Sequence, residues 1–193
     1  MQADRLQTAA ERDRQAVFIQ DEWSLLDGRL TLVPGLRMDR DSQFGEALSP
    51  KVALRYDVTD SWLLRAGWGE GFRAPDFKQL QLRFENSAVA YRVDGNPNLE
   101  PEESSGFHLG TTWFASATAS FYISAYHNDV SNLIQIEQIE TGPPTIFTYN
   151  NVAEAELTGV DLQAQWRPWA PLQIKLGYLS LIHISEPTRP LYI

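Results

Sequence analysis

The sequence predicts an all-β fold in which about eight antiparallel strands form an up-and-down transmembrane β-barrel wall. Apolar and polar side chains alternate over runs of about ten residues, the pattern of a strand with one face in lipid and the other in water. Short turns and long connections follow each other along the chain, as they do where all short turns lie at one end of a barrel. Six Trp, seven Tyr and nine Phe supply the aromatic side chains that such a wall places at the two membrane interfaces.

The first half of the chain contains four predicted strands. Residues 1–15 are polar and charged, and we interpret them as the end of a loop. The strands that follow are Val17–Leu25, Leu30–Asp39, Lys51–Val58 and Trp62–Gly69. Asp21 is an exception to the alternation of the first strand. The dipeptide Asp27-Gly28 and the segment Thr59–Ser61 predict tight turns between paired strands.

The second half repeats the pattern with four further strands. These are Ser105–Trp113, Ala117–His127, Gly159–Trp166 and Leu172–Tyr178. Phe114–Ser116 and Pro168–Pro171 are the predicted short turns within the two pairs.

The connections favour a membrane barrel over a soluble sandwich. Long connections are predicted at Arg40–Ser49, Phe72–Glu103 and about Val130–Asn150, each between two of the short turns. A membrane barrel has short turns at one end and longer loops at the other, whereas a sandwich mixes loop lengths at both ends. A soluble β-sandwich that acts as a binding module remains an alternative, because a solvated outer face also accommodates the polar half of each strand.

Composition excludes several classes of function. The formal net charge is −9, which argues against nucleic acid as a partner because a phosphate-binding surface needs clustered Lys and Arg. There is no cysteine, so disulfides and Cys-based zinc sites are excluded. The sequence contains no run of about 18 apolar residues, so it predicts no transmembrane helix. His108 and His127 lie on different predicted strands, and we expect no catalytic residue, metal site or cofactor.

Seven segments in order resemble the β-barrel of TonB-dependent outer-membrane receptors. They are Ala16–Trp23, Leu32–Asp39, Ser49–Lys51, Arg65–Pro75, Asn96–Glu102, Tyr149–Val152 and Leu157–Asp161. The resemblance covers about Ala16–Tyr178. The residues that match the family pattern, to which we assign a structural role, are Phe72, Arg73, Ala74, Pro75, Asn96, Pro97, Leu99, Pro101, Glu102, Asn151, Val152 and Gly159. Pro75 fixes its own φ and biases Ala74 away from the helical region, so the chain should leave the sheet there.

The resemblance implies a location and a function. Members are barrels of about 22 strands with an internal plug, so this chain corresponds to the C-terminal part of such a barrel. The implied function is active uptake of a scarce ligand, a ferric siderophore, haem or a cobalamin, with energy from TonB through a plug domain that this chain lacks. The implied partners are outer-membrane lipid, the metal-chelate, haem or cobalamin ligand, and TonB. A complete small barrel with a structural or adhesive role is the alternative.

Aromatic and cationic residues of the long connections are the candidates for ligand contacts. They are Arg73, Arg83, Phe84, Tyr91, Arg92, Phe147 and Tyr149. Aromatic rings bind apolar or planar groups, and Arg pairs with anions. The alternative is that these side chains only pack the loops together. On the barrel wall, Gly67, Gly69 and Gly71 share one parity and should clear space on the inner side for a plug.

The C-terminal segment Leu179–Arg189 resembles one translated reading frame of a transposon adapter used for sequencing libraries. We therefore expect residues 179–193 to be a non-native tail and the natural sequence to diverge after Tyr178. A genuine C-terminal hairpin is the alternative.

Overall fold

The computed structural model describes residues 5–6 and 11–186, so residues 187–193 of the predicted tail and most of the first ten residues of the predicted loop lie outside the described residues. In chain order the strands are β1 (Arg5–Leu6), β2 (Arg14–Gln20), β3 (Trp23–Leu25), β4 (Leu30–Asp41), β5 (Gly45–Thr59), β6 (Trp62–Arg73), β7 (Leu82–Asn86), β8 (Tyr91–Asp94), β9 (Glu102–Ser116), β10 (Ala119–Glu140), β11 (Thr145–Trp169) and β12 (Leu172–Glu186). The helix α1 (Phe77–Gln81) lies between β6 and β7. No helix in the described ranges is long and apolar enough to cross a membrane.

All described strands belong to one 12-stranded sheet. If β2 and β3 are counted as one interrupted strand, the wall consists of eight antiparallel strands, each paired with its neighbour from β2 and β3 through β4, β5, β6, β9, β10 and β11 to β12. This confirms the predicted all-β, antiparallel, up-and-down architecture.

The wall has two chemically different faces, as the alternation predicts. Register pairing puts Leu36, Trp68, Leu109 and Leu162 on the same face, where they are 37–58% exposed. We call this the outer face. The opposite, inner face carries Lys51, Arg65, His108 and Asp161. A row of exposed apolar side chains of this kind is the surface that a barrel strand presents to lipid.

Asp21 interrupts the first wall strand because Pro34, which lies opposite, has no amide hydrogen to donate. The Asp21 amide still donates to the Pro34 carbonyl at 3.2 Å. The Asp21 carboxylate accepts hydrogen bonds from the Glu22 amide at 2.9 Å and from the Trp23 indole at 2.8 Å. Register is unchanged across the gap, so both parts of the strand keep their apolar side chains on the outer face.

The short turns lie close to the predicted positions. The turn at Asp27-Gly28 is confirmed, with positive φ at Leu26, Asp27 and Gly28, and the turn after Thr59 is also confirmed. The prediction at Phe114–Ser116 was wrong by two residues, because β9 continues to Ser116 and the turn is at Ala117–Thr118. The Ser116 hydroxyl accepts a hydrogen bond from the Thr118 amide at 3.2 Å, which closes the turn there. The last turn is likewise narrower than Pro168–Pro171, since β11 ends at Trp169 and β12 begins at Leu172.

Two of the three predicted long connections are extended hairpins. Residues Arg40–Ser49 pair across β4 and β5 around a short turn, and most of 130–150 pairs across β10 and β11. The alternation in these segments is short or absent, as in Ile134–Glu137, so the sequence alone did not mark them as strands. The third predicted connection does leave the wall: residues 74–101 contain α1, β7 and β8, and β1 pairs with β7.

Residues 74–101 fold back onto the end of the wall opposite the short turns, which we call the external end. Asp76 caps α1: its carboxylate accepts from the Gln79 amide at 2.8 Å, and the Gln79 side chain accepts from the Asp76 amide at 3.0 Å. Strand β8 then pairs in parallel with the start of β11. Leu80, Leu99 and Ile134 form a buried apolar cluster, and Phe44 and Tyr149 pack against it. We call this assembly of residues 74–101, the β4–β5 turn and the outer parts of β10 and β11 the rim.

Candidate functional site

The rim is held by residues of the family pattern, beginning with Arg73 and Glu102, which lie opposite each other on β6 and β9. The Arg73 guanidinium donates two hydrogen bonds to the Glu102 carboxylate, one of them from Nη2 to Oε1 at 2.6 Å. The amide of Ile134 also donates to Glu102 Oε1, at 2.8 Å. Burial acts to raise the pKa of the Glu102 carboxyl, but the hydrogen bonds from Arg73 and Ile134 outweigh it and hold that pKa below its ordinary value. Glu102, to which the family pattern assigns a structural role, thus joins three strands, β6, β9 and β10.

Asn151 is the second fixed point of the rim. Its side-chain nitrogen donates to the Glu100 carbonyl at 3.0 Å and to the Asn132 carbonyl at 2.6 Å. Its side-chain oxygen accepts from the Glu100 amide at 2.9 Å. Asn96 makes a similar link, since its side chain donates to the Tyr149 carbonyl at 2.9 Å. Two asparagines thus tie the end of the long loop to β11.

The other residues of the family pattern have varied surroundings. Ala74, Pro75 and Leu99 are buried, and Leu99 contributes to the apolar cluster of the rim. Phe72 and Pro101 are half-buried, whereas Pro97 is exposed. The Val152 side chain lies outside the described residues. Gly159 is on the wall, where the ring of Tyr126 lies across it.

Three of the ligand candidates come together as an aromatic trio, Phe84, Tyr91 and Phe147. The ring centroids of Phe84 and Tyr91 are 5.6 Å apart, and those of Tyr91 and Phe147 are 6.5 Å apart. β8 brings these rings together because it pairs with β7 on one side and with β11 on the other. Tyr149 does not join the trio, because it packs against the buried cluster of the rim.

The arginine candidates do not converge with the trio. Register places Arg83 and Arg92 on the face of the β7–β8 hairpin opposite to Phe84 and Tyr91. Arg92 is paired with Asp94, with Nε and Oδ2 2.8 Å apart. Arg83 is exposed and lies opposite Asp94 in register, while Arg73 is paired with Glu102. The hairpin therefore presents an aromatic face and a charge-compensated face.

Neighbouring side chains partly fill the space that the inner-face glycines were expected to clear. The His108 ring lies where a Cβ on Gly67 would be, and Lys51 lies across Gly69. The Ser104 hydroxyl lies beside Gly71 in the same way. Long side chains of neighbouring strands therefore lie flat on the wall, and they border a shallow hollow of about 770 Å³ on the inner face.

The histidines make no metal site within the described ranges, where no group of three or more His, Cys, Asp or Glu side chains is placed to hold a metal ion. His127 is on the outer face, with Nδ1 2.8 Å from the Thr158 hydroxyl and Nε2 3.1 Å from Asp129. His108 is on the inner face, over Gly67.

Sequence reasoning missed α1 and the contribution of Arg12. The capping box of Asp76 and Gln79 is a readable helix signal, but the helix is too short for a helical period to show. Arg12 lies in a segment interpreted only as the end of a loop, yet its guanidinium lies over the rings of Phe44 and Phe77.

The chain was compared with known proteins. A family model described as TonB dependent receptor-like, beta-barrel, matches residues 3–188. The iron-regulated outer membrane virulence protein of Vibrio cholerae is 30% identical over 119 residues, which cover 62% of this chain and 18% of that protein. The vitamin B12 transporter BtuB of Vibrio vulnificus is 29% identical over 154 residues, 80% of this chain and 23% of the transporter. The chain thus spans about a fifth of the length of these curated relatives.

Solved structures share the fold. The siderophore receptor PirA from Pseudomonas aeruginosa superposes with a TM-score of 0.81 at 21% identity, over 91% of this chain and 35% of the receptor. The ferric enterobactin receptor PfeA from the same organism, in complex with enterobactin, superposes with a TM-score of 0.72 at 21% identity, over 89% of this chain and 27% of the receptor.

Proposed function

Since the chain belongs to the TonB-dependent receptor β-barrel family of the outer membrane, we propose that it forms part of the wall and rim of a receptor for active uptake. The ligand is a scarce nutrient: a ferric siderophore, haem or a cobalamin. TonB supplies the energy through a plug domain, and the residues of this chain carry out no covalent step.

The observation that carries this proposal is the aromatic trio at the external end of a wall with an apolar outer face and a polar inner face. Receptors of this kind take their ligand from outside, and the trio lies at the end where the ligand arrives. The names of the matched relatives, a vitamin B12 transporter and a siderophore receptor, agree with uptake of such compounds.

The charge distribution of the rim indicates which part of the ligand the trio contacts. Arg73 and Arg92 are engaged by carboxylates, so neither guanidinium offers an uncompensated charge to an anionic ligand. Phe84, Tyr91 and Phe147 can stack on a planar or apolar group. We assign the trio to such a portion of the ligand, and Arg83 to a peripheral contact.

We also propose that residues 16–178 are the native portion of the barrel wall and that residues 179–193 are not native. In support, Leu179 and Leu181 lie on the inner face by register and are 62% and 52% exposed. Exposed leucines there break the polar pattern set by Lys51, His108 and Asp161. Sequencing the gene across the Tyr178 codon tests this: a genomic sequence that encodes Leu179–Ile193 overturns it.

Uptake is tested with the complete receptor that carries this chain, expressed in a Gram-negative host without its own receptors for the probes. Ferric enterobactin, haemin and cyanocobalamin are supplied separately, with and without TonB. We expect saturable uptake of one probe that disappears without TonB. Uptake of none of the three, or uptake of one that persists without TonB, contradicts the proposal.

A pair of variants on one hairpin tests the trio. Tyr91→Ala removes the central ring and should weaken binding of the transported probe by about tenfold. Val89→Ala is the matched control, because Val89 is 65% exposed at the tip of the same hairpin and is outside the trio. Equal affinities for the two variants would remove the trio from the site.

A further inference from the structure

Arg12 lies where three external segments of the chain meet. Its side chain is only 10% exposed. Nη1 donates to the carbonyl of Pro75 at 2.6 Å, and Nε is 3.3 Å from a carboxylate oxygen of Asp41. The guanidinium also lies over two rings, 5.6 Å from the centroid of Phe44 and 5.2 Å from that of Phe77. Arg12 itself belongs to the segment before β2. Its guanidinium contacts both the segment after β6 and the β4–β5 turn.

The β4–β5 turn has its own support apart from Arg12. Asp41, whose side chain is 1% exposed, accepts hydrogen bonds from the amides of Gln43 at 2.9 Å and Phe44 at 3.3 Å. It also pairs with Arg14, with Nε and Oδ2 3.2 Å apart. Burial acts to raise the pKa of Asp41, but the bonds from Gln43 and Arg14 hold it below its ordinary value.

The contacts of Asp41 distinguish the role of Arg12 from that of Arg14. Without Arg12, Asp41 keeps an ion pair and two amide donors, so its charge is not left unpaired. What is lost is the link to Pro75 and the stacking on Phe77, the two contacts that reach the long loop. Arg14 is 43% exposed and its bonds end at Asp41, so its loss leaves that link in place.

The link leads directly to the aromatic trio. Phe77 begins α1, and Leu80 of the same helix is in the buried cluster against which Phe44 packs. Strand β7, which carries Phe84, begins immediately after α1. A shift of α1 relative to the β4–β5 turn therefore moves the trio as well.

We propose that Arg12 is a positioning residue: its guanidinium clamps α1 to the β4–β5 turn and so fixes the placement of the aromatic trio. The effect on ligand binding rests on the proposed function, whereas the clamp itself does not.

The clamp is tested by hydrogen–deuterium exchange on the complete purified receptor in detergent. Arg12→Gln should speed exchange of the α1 and β7 amides by about tenfold, because a buried stacked cation and its hydrogen bond to Pro75 are lost. Arg12→Lys keeps the charge but not the planar fork, and should give an intermediate rate. Arg14→Gln is the matched control and should stay within about twofold. Wall amides of β9 and β10 serve as the internal reference, since loss of the whole fold would speed them too.

Positioning is separated from general stabilisation by measuring binding and uptake together. For the one of ferric enterobactin, haemin and cyanocobalamin that the unmodified receptor binds, Arg12→Gln should raise Kd several-fold and leave the uptake rate at saturation unchanged in the receptor that reaches the surface. Faster α1 exchange without a change in Kd overturns the positioning role, and equal exchange in Arg12→Gln and Arg14→Gln overturns the clamp. If none of the three probes binds the unmodified receptor, the proposed ligands are wrong, and the exchange experiment still decides the clamp.

Discussion

Glu102 should stabilise the rim mainly through the Ile134 amide and less through Arg73. Arg73 is 55% exposed on its side chain and can be rehydrated when its partner is removed. Its pair with Glu102 is therefore worth about 0.2–1 kcal/mol, the range of exposed ion pairs. Ile134 is 8% exposed, and its amide without an acceptor costs about 1–3 kcal/mol. Glu102→Ala should thus lower the local free energy of opening by about 1–4 kcal/mol, the sum of the two contributions.

Glu102→Gln separates the two contributions. The amide side chain keeps an oxygen that can accept from Ile134 and from Arg73 Nη2, but it loses the charge and the acceptor for Arg73 Nε. We expect a loss of about 1 kcal/mol, so the difference between the two variants reports the Ile134 amide. Glu103→Ala is the control, because Glu103 is exposed on the outer face and should cost less than about 0.5 kcal/mol.

Hydrogen exchange of the amides around Ile134, in the complete receptor, measures these opening free energies. Equal losses for Glu102→Ala and Glu102→Gln would refute the role given to the Ile134 amide. A loss for Glu103→Ala as large as that for Glu102→Ala would show that acidic charge at this strand end matters, not the hydrogen bonds.

Four further expectations concern single sites. Asn151→Ala removes three hydrogen bonds and should destabilise the rim by about 2–3 kcal/mol, measured as faster proteolysis of the long loop. Asn151→Asp should destabilise the rim nearly as much, because both hydrogen bonds that the side chain donates are lost. Gly67→Ala should destabilise the folded barrel by about 1–3 kcal/mol in denaturant titration because its Cβ meets the His108 ring, and adding His108→Ala should relieve most of that loss. Leu109→Arg puts a charge on the outer face and should cost about 2–4 kcal/mol in lipid, whereas His108→Arg at the neighbouring inner position should cost much less in the same titration. Because the pKa of Asp41 is lowered in the folded rim, its stabilisation is complete well above about pH 4 and is lost as the pH falls through the folded value. The protection of the β4–β5 turn amides, taken relative to their intrinsic exchange rate at each pH, should therefore fall only at the acidic end of a series from about pH 6 to 3.

The wall was predictable because lipid and water impose a period of two on each strand. His108 and Leu109 are adjacent in sequence and face opposite media, so their chemistry alone assigns the faces. The period of two also makes Asp21 visible as a polar residue at an apolar position. The strand is interrupted there because Pro34, which lies opposite, has no amide hydrogen to donate.

The rim could not be predicted in the same way. Around Gln135 the alternation is confined to Ile134–Glu137, too short to mark the outer parts of β10 and β11 as strands, and the segment was interpreted as loop. Arg12 contacts Pro75, which is 63 residues away in the sequence, and no local sequence pattern predicts a contact at that separation. The aromatic ligand candidates could be recognised from their residue type alone. That Arg83 and Arg92 lie on the opposite face from them depends on the register of the β7–β8 hairpin, which the sequence did not predict.

The glycines of the inner face have a consequence for related sequences. Several of them lie beneath a long side chain of a neighbouring strand: Gly67 beneath His108, Gly106 beneath Asn128 and Gly159 beneath Tyr126. A larger residue at the glycine position is tolerated only if the covering residue becomes smaller or turns away. The two members of each pair should therefore covary among receptors, and such covariation would locate the inner face in members of the family for which only sequences are known.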